Sequence, residues 1–91
     1  MLYKAKGDKV HELKILNKYF DEIYFESKTF EVRKDDRGFN VADILILKEV
    51  SEAVEDGVMV YTGRELFVSI NYILRDEEYC KKGYCVLGLQ I

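Results

Sequence analysis

Lys28, Thr29, Glu31 and Arg33 fall within six residues and carry side chains suited to holding a ligand. A lysine and an arginine can grip a phosphate or a carboxylate. A glutamate between them can accept from a base amino group or fix the arginine. Alternation places Thr29, Glu31 and Arg33 on one face of an extended strand, with Phe30 and Val32 on the other, which is expected to face the core. Lys34-Asp35-Asp36-Arg37-Gly38 then forms a charged turn. From the residues alone, a solvated face with a Glu31–Arg33 pair worth under ~1 kcal/mol is the favoured reading of the row.

Other groups add to this row. Arg64, in Thr62-Gly63-Arg64-Glu65, is placed to reach a backbone phosphate or to pair with Glu65. Arg37 and Lys34 widen a basic rim that Asp35 and Asp36 partly cancel. Tyr61, Tyr72 and Tyr84 can stack a base or simply pack. The single histidine, His11, shares a strand face with Leu13 and Ile15 and is expected as a satisfied, partly buried group; a pH-sensitive role at a cleft floor is the alternative. Lys14 and Glu12 occupy the opposite face, and alternation does not decide which face lines a cleft.

Several chemistries lack their residues. No Ser/His/Asp set has recognisable spacing, neither cysteine can be tied to His11, and no glycine-rich phosphate loop occurs. Two cysteines and one histidine do not make a four-ligand zinc set, so neither metal nor cofactor is expected. Cys80 and Cys85, with four residues between them, read as reduced thiols of a cytoplasmic protein. Met1 to Val10 is too polar for a signal peptide, and no apolar run approaches ~18 residues, so no membrane association is expected.

The elements that must position these residues fit one domain of 91 residues, rich in aromatics (seven Tyr, five Phe) that must largely build its core. Residues 1–9 read as a frayed lead-in or an edge strand. Val10 to Ile15 forms a first strand. Asn17 is placed as the N-cap of a helix of about three turns, with Leu16, Tyr19, Phe20, Ile23 and Tyr24 as its apolar stripe. Strands are expected at Lys28–Lys34, at Val41–Lys48 (apolar on both faces and so covered on both), at Val58–Tyr61, at Leu66–Leu74 with Leu66, Val68, Ile70, Tyr72 and Leu74 on one face, and at Tyr84–Ile91. Glu49–Gly57 is an acidic loop, Thr62–Glu65 a turn, and Arg75–Lys82 a charged connection with about one helical turn. One helix does not cover both faces of five or six strands. An α+β, mainly β fold, in which a mixed sheet curls into a small barrel, solves the burial problem.

The net charge of −3 argues against a general nucleic-acid binder. Four acids in Glu49–Gly57 and three in Asp76-Glu77-Glu78 carry that excess, and without them ten acids face fourteen bases. A local basic surface beside acidic loops is compatible with this distribution.

His11-Glu12-Leu13-Lys14-Ile15, Tyr19-Phe20, Lys28 through Arg37, Val41-Ala42-Asp43-Ile44-Leu45, Tyr61-Thr62-Gly63-Arg64, Ile70-Asn71-Tyr72-Ile73 and Gly83 through Gly88 occur in an order that resembles an ASCH-like branch of the PUA-like superfamily. The branch consists of small bacterial and phage proteins and is carried as a domain of unknown function, number 3850. The resemblance implies a PUA-like β-barrel with a cleft between helix and barrel, and relatives that bind RNA or modified nucleotides. Some ASCH proteins are amidohydrolases of an acylated cytidine, and Lys28 matches their lysine. Glu31 stands where they have threonine, and their distant glutamate has no counterpart. Glu26 or Ser27 replaces the usual glycine before that lysine, and Ala42 replaces the one before Asp43.

The leading expectation is an RNA- or nucleotide-binding module with a cleft lined by Lys28, Thr29, Glu31, Arg33 and Lys14 or Arg64. The alternatives are an amidohydrolase using Lys28 and Glu31, and a protein-interaction module acting through Glu49, Glu52, Glu55 and Asp56.

Overall fold

The computed structural model describes residues 9–51 and 58–91. The lead-in before Lys9, and Glu52, Glu55 and Asp56 of the acidic loop, lie outside these residues. The elements run β1 (Val10–Leu16), α1 (Asn17–Tyr24), β2 (Phe30–Lys34), β3 (Ile44–Ser51), β4 (Val60–Leu74) and β5 (Tyr84–Gln90). They form one five-stranded sheet in the order β1-β3-β4-β5-β2, with β1 parallel to β3 and every other pair antiparallel. The sheet curls into a half-barrel, mainly β, with one short helix after the first strand. Among the described residues no helix is long and apolar enough to cross a membrane.

The concave face holds the core. His11, Leu13 and Ile15 of β1 point inward as their alternation predicts, joined by Leu45 and Leu47, Val68 and Ile70, and Cys85, Leu87 and Leu89. α1 packs on β1 and β3 from this side and contributes Phe20 and Ile23. It has eight residues, about two turns rather than three, and leaves Tyr19 and Tyr24 exposed. Asn17 is its first residue, and Leu16 takes the cap position without a side-chain bond. The helix ends where Glu26 enters the left-handed region at φ 61°, a place usually given to glycine. The Lys28 amide and the Ser27 hydroxyl then satisfy the Glu22 carbonyl, at 2.9 and 3.1 Å.

The faces of β2 are the reverse of the expected ones. Phe30 and Val32 are 45% and 56% exposed on the outer face, while Glu31 is 5% exposed on the inner. Alternation separates two faces but does not say which is inside. The pairing decides it here: Glu31 lies beside Leu87 and Arg33 beside Cys85, both on the buried side of β5. Glu31 tolerates this position because Lys28 and Arg33 flank its carboxylate.

The expected fourth and fifth strands are one. Thr62–Glu65 is no turn but part of β4, where a register shift against Lys48–Val50 absorbs Gly63 at φ 95°. A second irregularity between Ile70 and Tyr72 reverses the phase of β4, so Ile73 packs on the core and Tyr72, expected on one face with Val68 and Ile70, is exposed. Gly88 faces this bulge, and a Cβ there would stand 3.2 Å from that of Tyr72. β3 starts three residues late because Ala42 turns the chain at φ 76°, and it runs on to make Glu49 a strand residue. Ile91, expected as the end of the last strand, lies beyond β5 and is exposed.

Candidate functional site

Glu31 is the centre of a compact charge network. The Lys28 ammonium bonds one of its carboxylate oxygens, and Arg33 Nε donates to the other at 3.1 Å. Lys28 Nζ also lies 4.3 Å from the ring centre of Tyr19 and 5.5 Å from that of Phe30. Glu31 and Lys28 are thus largely engaged with each other and with aromatic rings.

Arg33 reaches further. Among the described residues β1 is an edge strand laddered only to β3, so its outward carbonyls have no sheet partner there. Arg33 Nη2 donates to the Lys14 carbonyl at 2.5 Å, and Arg37 Nη1 to that of Glu12 at 3.1 Å. Two guanidinium groups therefore bridge the seam between β1 and β2, which no backbone ladder closes among the described residues. Arg75 steadies the turn that carries Arg37, donating to Asp35 at 2.6 Å and to the Phe39 carbonyl at 2.8 Å.

A groove of about 310 Å³ opens along this seam, lined by Glu12, Lys14, Arg33, Arg37, Lys48 and Tyr61. Lys14 Nζ lies 5.8 Å from the centre of the exposed Tyr61 ring. Lys48 pairs with Glu12 at 2.5 Å, and this bond holds its ammonium above the ordinary lysine value. Four cations and one carboxylate line the groove beside an accessible phenol ring. Such a set can hold a phosphate and stack a planar base.

The expected site residues fall into three places. Arg33 and Lys14 share the seam groove. Lys28 and Thr29 line a separate hollow of about 260 Å³ between the end of α1 and the end of β5, with Ile23 and Leu89. Arg64 stands at a third, shallow place with Asp21, Glu49 and Thr62. It donates to buried Glu49 from Nε at 2.8 Å and from Nη2 at 2.5 Å, and to Asp21 at 2.9 Å. Its guanidinium carbon lies 4.5 Å from the Phe20 ring centre. The Glu49 bond raises the Arg64 pKa, and the same bond, with Thr62 helping, holds the Glu49 carboxyl below its ordinary range despite burial. Arg64 thus ties α1 to β3 and β4.

His11 is buried and satisfied, as its face suggested, with Nε2 2.7 Å from Asp43 Oδ2. Asp43, fully buried, also accepts from the amides of Asn40 at 2.9 Å and Lys9 at 3.3 Å. Burial pushes its carboxyl up, but the His11 bond and the two amides more than offset this and hold it below the usual value.

Asp43 and Lys48 gain their roles only through the fold, while Arg37 is expected from the sequence only as part of a basic rim. Asn40 three residues before Asp43 was the one local sign of a side chain capping its own turn. Nothing in the order of residues placed Lys48 beside Arg33, since β2 and β3 are not neighbours in the sheet.

Comparison with known proteins adds a family. A family model described as a domain of unknown function (DUF3850) matches residues 10–89. An "Uncharacterized 12.9 kDa protein in GpA 3'region" of Escherichia phage P2 is 40% identical over 58 residues, 64% of this chain and 48% of that protein. The match thus spans about half the length of that relative.

Proposed function

We propose that this chain, which belongs to the DUF3850 family, is a small RNA- or nucleotide-binding module of the ASCH-like, PUA-like kind. The observation that carries the reading is the seam groove, where Lys14, Arg33, Arg37 and Lys48 surround an exposed Tyr61. Its size, about 310 Å³, suits one nucleotide unit, at the small end of ligand pockets. Lys14 makes no ion pair among the described residues and supplies the charge that meets a phosphate; Tyr61 supplies a face for a base. Arg33 and Arg37 hold the groove open by fixing its two walls. The amidohydrolase reading draws no comparable support, because its two residues, Lys28 and Glu31, bond each other outside this groove.

The test is fluorescence anisotropy with a labelled single-stranded RNA octamer and, in competition, a nucleoside monophosphate. Wild type is expected to bind at low salt. Lys14→Ala combined with Tyr61→Ala is expected to weaken binding at least tenfold, and Lys28→Ala to leave it within twofold. Equal affinity of wild type and the double variant rejects the groove.

A further inference from the structure

The seam groove does not end at Tyr61. A second hollow of about 190 Å³ adjoins it, lined by Lys48, Tyr61, Gly63, Arg64 and Glu65. Lys48 and Tyr61 line both spaces. The uneven pairing of β3 with β4 makes the hollow. From Lys48 to Val50, β3 advances two residues, while β4 covers four between Glu65 and Tyr61. The surplus backbone bends out of the ladder and leaves a recess. Gly63 puts no side chain into it, and a Cβ there would meet nothing within 4 Å. Its φ of 95° disfavours any residue that would fill the space.

The charges around this recess are ordered. Lys14, Lys48 and Glu65 stand in one row across β1, β3 and β4. The Lys48 ammonium lies between the two spaces, 2.5 Å from Glu12 of the groove and 3.7 Å from Glu65 of the hollow. A phosphate is drawn to the two lysines and repelled by the Glu65 carboxylate. A base is not repelled, and its exocyclic amino group can donate to that carboxylate. Arg64, held by Glu49 and Asp21, forms a fixed wall of the hollow.

We infer that the ligand of the seam is a two-unit stretch of a single-stranded oligonucleotide, not a mononucleotide; this rests on the nucleotide-binding reading of the groove. One base occupies the groove and the next the hollow past Tyr61. The phosphate joining them sits by Lys14 and Lys48, and Glu65 accepts from the amino group of the second base. A ring that lines both spaces serves successive bases as a stacking platform does.

Isothermal titration at low salt with the 5′-phosphorylated dinucleotide pApA and with ADP tests this. The two carry comparable charge, but only pApA has a second base. Wild type is expected to bind pApA at least tenfold more tightly than ADP, the gain of stacking one further base. Glu65→Trp fills the hollow from an exposed position and is expected to cut that ratio at least fivefold with an unchanged circular-dichroism spectrum. A second measurement needs no variant: the Gly63 and Glu65 amide resonances of wild type are expected to shift with pApA and to stay in place with ADP. Equal affinities for pApA and ADP overturn the inference and leave the groove reading standing. An unchanged ratio in folded Glu65→Trp overturns it too, as do Gly63 and Glu65 resonances that stay in place at saturating pApA. Failure of both compounds to bind removes the groove reading and this inference together.

Discussion

Arg33 Nη2 bonds the carbonyl of Lys14 at 2.5 Å, joining the two edge strands of the sheet across a side that has no ladder among the described residues. The same guanidinium holds Glu31 from within. Arg33→Ala therefore removes both a bridge and one of two cations on a buried carboxylate, and is expected to cost about 2 kcal/mol. Arg33→Lys keeps the charge but loses the fork, and should recover about half of that. Urea unfolding checks this, with the midpoint falling and the slope unchanged.

Glu26 at φ 61° and Ala42 at φ 76° occupy backbone conformations that suit glycine. These are also places where the family resemblance led one to expect glycine. Left-handed backbone costs a side-chain-bearing residue about 1–2 kcal/mol, part of which glycine gives back through the entropy of the unfolded chain. Ala42→Gly is expected to raise stability by roughly 0.5–1 kcal/mol and Glu26→Gly by a similar amount. Thermal melts of the two variants and their combination read this directly; a lower melting temperature for Ala42→Gly contradicts it.

Asp43 and Glu49 are both buried, and both have carboxyls held below their ordinary values in the folded chain. On acidification the unfolded chain takes up their protons first. Their contribution is therefore complete above the ordinary carboxylate pKa near 4 and is lost as pH falls through the lower folded values. Stability measured by urea at pH 6, 4 and 3 should change little over the first step and drop steeply over the second. Asp43→Asn and Glu49→Gln should each be less stable than wild type at pH 6 and should flatten that drop.

RNA binding at the seam groove is expected to weaken with salt. If three cations meet single-strand phosphates, log K should fall against log salt with a slope of about −2. Lys14→Ala should reduce that slope by about 0.7, whereas Tyr61→Ala should weaken binding without changing it. Titrations at four salt concentrations separate the two roles.

Much of the fold is legible where local pattern and environment agree. The inner face of β1, the helix after it and the double apolar character of Ile44-Leu45-Ile46-Leu47 can all be read from spacing. What is not legible depends on a partner strand. The inward turn of Glu31 follows from β5, more than fifty residues away. Gly63 looks like a turn because glycine breaks many strands, yet the offset opposite Lys48–Val50 absorbs it. Tyr72 moves outside because one irregular residue reverses every side chain after it. The site suffers the same loss: Arg33, Lys14, Arg37 and Tyr61 are each legible singly, but they and Lys48 come together only once the edges of the sheet curl toward one another.

The strand order also constrains how the chain acquires its shape during synthesis. Among the described residues β2 has a single ladder neighbour, and that neighbour is β5. On the ribosome, Phe30–Lys34 must wait, unpaired, until Tyr84–Gln90 has emerged from the exit tunnel. A nascent chain stalled after β4 can assemble β1, β3 and β4, but it leaves the segment bearing Glu31 and Arg33 without a sheet to join.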